Sequence, residues 1–175
     1  VGTQVSGVVQ DLYADFNDFV RTGQTLARLD ASLFQTQVEQ AEANLIRAEA
    51  DVERFDVTRD AARLALDRSV RLAEKRLIAD ADLESARMAV ASAEAQVRSA
   101  QASVAQSKAS LNQVRVNLAH TVIASPIDGI VVSRAVDTGQ TVAASMQAPT
   151  LFVLAADLAH MRVNASIDES DVGQI

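Results

Sequence analysis

Val20-Arg21-Thr22-Gly23-Gln24-Thr25 and Val136-Asp137-Thr138-Gly139-Gln140-Thr141 are two copies of one hexapeptide pattern, and the 102 residues between Gly23 and Pro126 contain neither Gly nor Pro. A small motif is duplicated here and split by a long insertion that lacks a helix breaker. Around each copy the chain reads as short strands. In the first half these are Val5, Val8 and Val9 around Gly7, then Leu12 to Phe16, then Thr25 to Leu29. Turns fall at Asn17-Asp18 and Thr22-Gly23, where Asn and Gly tolerate a positive backbone φ. The second half repeats this grammar with Val122-Ile123, a turn at Pro126-Ile127-Asp128-Gly129, a strand Ile130 to Val132, a turn at Thr138-Gly139 and a strand Leu151 to Leu154. Each half has too few strands to be stable alone. The two halves are expected to pair into one small β-sandwich.

The insertion is helical by its period. Asp30 precedes the periodic region, where its carboxylate is placed to accept first-turn N–H groups as an N-cap. Val38, Leu45, Val52, Arg59, Leu66 and Ala73 then recur every seven residues, beside Ala41, Ala48, Phe55, Ala62 and Ser69. A second run is cleaner, with Leu83, Val90, Val97, Val104, Leu111 and Leu118 beside Ala86, Ala93, Ala100, Ser107 and Val114. Stripes two positions wide are coiled-coil seams, and small residues in one column bring the helix axes toward the lower end of about 8 to 10 Å. Opposed charges, Arg47 with Asp51 and Asp67 with Arg71, are spaced to pair at i,i+4 on the outer faces. The reversal is expected between Leu77 and Asp82, with Asp80 or Asp82 capping the second helix. Helices of roughly 45 residues reach about 65 to 70 Å at 1.5 Å per residue. The fold class is therefore α+β, a long antiparallel α-helical coiled-coil hairpin inserted between two halves of a β-sandwich.

The expected domain bounds follow: 1–30 for the first half, 31–119 for the hairpin, 120–157 for the second half and 158–175 for the start of a further β domain. Within the hairpin the helices are placed at 31–77 and 83–119, with the tip at 78–82. Met161, Val163, Ala165 and Ile167 alternate as a half-buried strand requires.

Composition agrees with thin seams. Hydrophobic residues make up 49% of the 175 positions but aromatic ones only 3%, so Ala, Val and Leu carry the apolar surface. A net charge of -7 argues against a nucleic-acid groove or a basic membrane-binding face. There is no Cys, hence no disulfide framework or thiolate site. No apolar run reaches the length of a membrane span, and no signal-peptide pattern precedes Val1. The chain opens on a strand-like run and stops at Ile175 in mid-pattern, so an export signal and anchor are expected to lie outside it.

Chemistry-bearing patterns are sparse. His120 and His160 have no neighbouring carboxylates at metal-ligand spacing, and no nucleophile elbow, phosphate loop or zinc-protease motif occurs. The expectation is a protein that is not an enzyme, with no cofactor and no metal. A split β-sandwich is similar to a biotinyl or lipoyl carrier domain, which holds its cofactor on a Lys in the turn joining the halves. The two lysines, Lys75 and Lys108, fall instead inside the heptad region.

The arrangement of half motif, helical hairpin and half motif resembles the periplasmic adaptors, also called membrane fusion proteins or the HlyD family. The resemblance spans essentially the entire chain. It is carried by GVVQDL (Gly7 to Leu12), VRTGQTLARLD (Val20 to Asp30) and TVIASPIDGIVVSRAVDTGQTV (Thr121 to Val142), the last close to the family's "I-x-A-P-x-D-G-x-V" signature. The resemblance implies that the sandwich is lipoyl-like, with turns at Gly23, Asp128, Gly129 and Gly139, and that 158–175 begins a β-barrel domain. The tail from Ala148 to Ile175 is similar to the subgroup that serves macrolide-exporter-type ABC transporters.

That resemblance implies a non-catalytic, ring-forming conduit, a hexamer, held at the inner membrane and working in the periplasm. Its partners are an inner-membrane transporter, ABC type favoured over RND type, and a TolC-type outer-membrane channel; nucleic acid is not among them. An adaptor for an RND pump or type I secretion is the alternative, followed by a carrier domain or a purely structural coiled coil. Adaptors that dock on such channels share an Arg, Leu, Ser pattern at the hairpin tip. Arg68 and Leu72 match it, Ala79 stands where the family has Ser, and Asp80 follows. Gln147 occupies the place of a Gln that narrows the central passage in the subgroup. Gln96, Arg98, Gln101 and Gln106 are candidates for lateral helix contacts, and flexible joints are expected near Asp30 and Ala119.

Overall fold

The computed structural model describes residues 1–144 and 149–156 and divides the chain into two compact units, one of Ala31–Ala119 and one built from the segments on either side of it. The β unit contains β1 (Gly7–Leu12), β2 (Phe19–Val20), β3 (Thr25–Leu29), β4 (Val122–Ala124), β5 (Gly129–Arg134), β6 (Thr141–Val142) and β7 (Phe152–Ala155). These form a four-stranded sheet in the order β4-β3-β1-β6 and a three-stranded sheet in the order β2-β5-β7. All pairings are antiparallel. Every sheet therefore mixes strands from both sides of the insertion.

The core is shared in the same way. Val9, Leu26 and Leu29 from the first half and Val131, Leu151 and Phe152 from the second are fully buried. Burying such a side chain contributes about 1.5 to 3 kcal/mol. A half by itself holds only three of these six, and none of its sheets is complete.

The two hexapeptides adopt the same turn. Gly23 and Gly139 have φ of 81° and 84°, a region open to Gly at little steric cost. The N–H of Gln24 donates to the Arg21 carbonyl at 2.9 Å, and that of Gln140 to the Asp137 carbonyl at 3.1 Å. Each Gln side chain then accepts, through Oε1, the N–H of the turn's first residue, Arg21 or Asp137, at 2.9 Å in both cases. Above these lie Val20 and Val136, both buried.

The turns also exchange partners. The N–H of Gly23 donates to the Ser125 carbonyl at 2.8 Å and the N–H of Ser125 to the Gln24 carbonyl at 2.9 Å. In the other half, the N–H of Gly139 donates to the Val9 carbonyl at 2.8 Å and the N–H of Val9 to the Gln140 carbonyl at 2.9 Å. The turn of each half is thus closed by a backbone segment of the other, a pseudo-two-fold exchange that joins residues more than a hundred positions apart.

One expected strand is absent. Leu12 ends β1, and the stretch expected to continue to Phe16 is irregular. Carboxylates near Asn17 compete for the backbone there: the Asp18 side chain accepts the N–H of Asp15 at 2.7 Å, and the Asp15 side chain accepts that of Phe16 at 2.7 Å. Asn17 has φ 68°. Short acidic side chains that bond nearby N–H groups favour turns over ladders.

The other unit consists of α1 (Ser32–Glu74) and α2 (Asp80–Ala119). Ala31, not Asp30, holds the N-cap position and makes no side-chain cap bond. Asp30 belongs to the strand network, since its N–H donates to the Val8 carbonyl at 2.8 Å. The reversal lies at residues 75–79, earlier than the expected 78–82, and Asp80 and Asp82 sit inside the first turn of α2. There they face the positive end of the helix dipole.

The heptad columns form the seam of the hairpin. Ala41, Ala93, Val97, Ala100 and Leu111 are buried, and the remaining column residues are half-buried, as a two-helix seam requires. Three ion pairs cross between the helices: Glu42 with Arg115 at 2.7 Å, Glu49 with Lys108 at 3.7 Å and Arg63 with Glu94 at 2.7 Å. Arg59, the polar member of its column, is held by Asp56 at 2.5 Å and Asp60 at 2.8 Å. Asp67 pairs with Arg71 at 2.6 Å as the spacing implies, whereas Asp51 pairs with Arg54 at 2.8 Å and not with Arg47.

Candidate docking tip and braced turns

The tip is built by the way α1 stops. Lys75 is its C-cap, and Arg76 follows in the left-handed region with φ 57°. The N–H of Arg76 donates to the Ala73 carbonyl at 2.8 Å and the N–H of Leu77 to the Leu72 carbonyl at 2.9 Å. That bond pair is a Schellman motif, which satisfies carbonyls that otherwise lack partners at a helix end. An Arg stands where Gly is usual. Leu72 therefore has two roles, one through its backbone in the stop signal and one through its half-buried side chain.

Arg68 is exposed on α1, seven residues before the C-cap and so about 10 Å along the axis from it. Ala79 and Asp80 are exposed across the turn, and Leu77 is 66% exposed. The Ala79 carbonyl accepts the N–H of Asp82 at 3.0 Å, opening α2. Arg68, Leu72, Ala79 and Asp80 are thus gathered at one end of the hairpin. Gln96, Arg98, Gln101 and Gln106 are all exposed on α2.

At the turns of the β unit the bracing is ionic and unequal. The Asp128 carboxylate accepts the backbone N–H of Thr22 at 2.6 Å and its hydroxyl at 3.0 Å. The N–H first, and then the hydroxyl, hold the carboxyl below its ordinary value of 3.8. Next to it, a Cβ added to Gly129 would overlap the Ala155 carbonyl oxygen, so this Gly permits close approach of β5 and β7. The second turn is braced by Arg134, which donates to Asp15 at 3.0 Å, to Asp137 at 2.5 Å and to the Val136 carbonyl at 2.5 Å. The Phe16 N–H and then Arg134 lower the Asp15 carboxyl.

Sequence reasoning missed Arg134 and the Thr22 to Asp128 bond, since their partners are separated by 119 and 106 positions and no local spacing marks them. The inter-helix ion pairs were legible in principle, because all join the same heptad position. Lys75 and Lys108 both lie in the hairpin unit. Gln147, His160 and residues 158–175 fall outside the described residues. Among the described residues, no group of three His, Cys, Asp or Glu is placed to hold a metal ion, and no helix is long and apolar enough to cross a membrane.

Residues 1–154 match the family described as "RND MFP, barrel-sandwich hybrid domain". The chain is 37% identical over 172 residues to the macrolide export protein MacA of Yersinia pestis, covering 98% of this chain and 46% of that protein. It is also 37% identical over 175 residues to the pyoverdine export membrane fusion protein PvdR of Pseudomonas aeruginosa, covering 100% of this chain and 44% of that protein. The chain thus spans less than half the length of these two relatives. Among solved structures, MacA from Actinobacillus actinomycetemcomitans superposes with a TM-score of 0.87 at 30% identity, over 100% of this chain and 54% of that one. With its family domain matched over residues 1–154, the chain belongs to the membrane fusion proteins.

Proposed function

We propose that this chain is the hairpin-bearing part of a periplasmic adaptor in a tripartite export system, bridging an inner-membrane transporter to a TolC-type outer-membrane channel. The observation that carries the reading is its likeness to MacA along the entire chain, in both sequence and three-dimensional structure. The adaptor acts by geometry and not by catalysis. The lipoyl-like units assemble side by side as a ring, a hexamer, near the transporter, and the bundled hairpins present Arg68, Leu72, Ala79 and Asp80 to the channel. Gln147 lines and narrows the passage through the ring. In the full-length protein an anchor holds the assembly to the inner membrane.

Cysteine placed at Arg68 or at Leu72 in the full-length protein tests the docking end. A crosslink in cells to an outer-membrane channel is expected, and its absence from both positions overturns tip docking. For Gln147, replacement by Ala is expected to change export while leaving assembly intact.

The ABC class is favoured for the transporter because the tail from Ala148 to Ile175 is similar to the subgroup that serves macrolide-exporter-type ABC transporters. An RND pump is the second reading, favoured by the wording of the family description. Co-purification of the full-length protein with its transporter separates them: an ABC permease supports the first, and a twelve-span RND pump replaces it with the second.

A further inference from the structure

The three ion pairs that cross the hairpin, Glu42 with Arg115, Glu49 with Lys108 and Arg63 with Glu94, keep a single register, one step along α1 for one step back along α2. Because side chains lean toward the start of their own helix, that register matches the seam columns layer by layer. From the base outward the layers are Ala41–Leu118, Leu45–Val114, Ala48–Leu111, Val52–Ser107 and Phe55–Val104, then Arg59–Ala100, Ala62–Val97, Leu66–Ala93, Ser69–Val90 and Ala73–Ala86. Each of the first five holds a large apolar side chain, and two of them hold two. Of the last five none holds two, and the first and last of that group hold none.

The strength of a seam follows the apolar area it takes out of water, so the tip half is held by much less than the base half. Ala93, Val97 and Ala100 are buried there, but two of these three are Ala and bring little area. From Leu66 to Ala73 and from Leu83 to Val90 no residue is buried. The crossing ion pairs stop in the same region. Their column continues on α1 with Val70, which comes level with Arg87, and Arg87 turns to Glu84 of its own helix at 3.6 Å. Arg59 marks the boundary. Its side chain is 24% exposed at a seam position, and both of its ion pairs, with Asp56 and Asp60, are within α1. Parting the helices at this layer rehydrates a charged group and breaks none of its ion pairs, so it costs less than parting them at an apolar layer.

We infer that the hairpin opens in two stages, the tip half from Arg59 around to Ala100 parting and reclosing as one unit while the base half stays paired. Proteins open in such cooperative units, and the units with the least buried apolar contact open first. Once parted, two helical segments of this length are marginal in water, so opening frees their amides to exchange. Arg68, Leu72, Ala79 and Asp80 all lie in the opening unit. A partner that grips the tip therefore selects between a closed and an open form. The inference rests on the seam alone and stands apart from the docking and ring readings above.

The test is native-state hydrogen exchange of the full-length protein, read peptide by peptide by mass spectrometry. Peptides within 63–94 are expected to share one rate, at least about tenfold faster than those within 38–55 and 104–118, with the step falling at Arg59 and Ala100. The variant Ala73→Leu places a large side chain against Ala86 in the outermost layer. It is expected to slow exchange of 63–94 about tenfold and to leave 38–55 unchanged. Equal protection along both helices overturns the inference, and so does protection that declines smoothly from base to tip, which is ordinary fraying of helix ends. Equal slowing of both halves by Ala73→Leu overturns it too, since the hairpin then opens as a whole.

Discussion

Thr22 and Asp128, 106 positions apart, are joined by two hydrogen bonds to one carboxylate oxygen, from the Thr22 N–H at 2.6 Å and from its hydroxyl at 3.0 Å. The pair ties the first hexapeptide turn to the turn that opens β5. The long insertion thus leaves and returns to a base whose two halves are bonded to each other.

That relationship gives the β unit a pH dependence. The folded Asp128 carboxyl lies below its ordinary value of 3.8, and the same direction holds for Asp15. Stability from such a group is fully present above its unfolded value and is lost as pH falls through the lower folded value. Asp128→Asn is expected to lower the thermal midpoint at pH 7 and to converge on the parent protein as pH falls through the lowered folded value. Melting curves of both proteins between pH 7 and pH 2 check this; a constant gap down to pH 2 contradicts it.

At the tip, Arg76 adopts φ 57°, a conformation that costs a residue with a Cβ about 1 to 2 kcal/mol. Arg76→Gly removes that strain but loosens the unfolded chain, for a net gain of about 0.5 to 1 kcal/mol. Arg76→Val is expected to destabilise. Denaturant midpoints of the two variants should move in opposite directions.

The seam and the outer face are expected to respond differently to truncation. Leu111→Ala removes a buried seam residue and should cost about 2 to 3 kcal/mol, the low end for a core Leu because a two-helix seam collapses readily. Leu64→Ala, at a site 68% exposed, should change folding stability by less than about 0.5 kcal/mol. Chemical denaturation of the two variants separates the two effects.

Gly129 faces the Ala155 carbonyl so closely that a Cβ has no room. Gly129→Ala is expected to destabilise the β unit by about 1 to 3 kcal/mol through forced separation of β5 and β7. Gly7→Ala, whose Cβ would make ordinary contact at 3.5 Å with Leu29, is the matched comparison and should be milder.

Periodicity carried most of what could be read without coordinates. The columns from Val38 to Ala73 and from Leu83 to Leu118 recur because side chains seven residues apart on a helix share a face, so the seam was legible residue by residue. The strand expected at Leu12 to Phe16 was misread because alternation alone does not register the competition of Asp15 and Asp18 for nearby N–H groups. The early end of α1 was missed for a related reason, since a Schellman stop at Arg76 lacks the Gly that usually announces it.

The sequence alone determined a split β motif, two long amphipathic helices and the absence of a Lys in the joining turn, because each follows from local spacing or from residue identity. Only the tertiary structure decided which turn bonds to which strand, and that Asp128 and Arg134 brace the two hexapeptides in different ways. Those facts depend on residues brought together from both sides of the inserted hairpin Ala31–Ala119, and no local pattern encodes the closure of so long a loop.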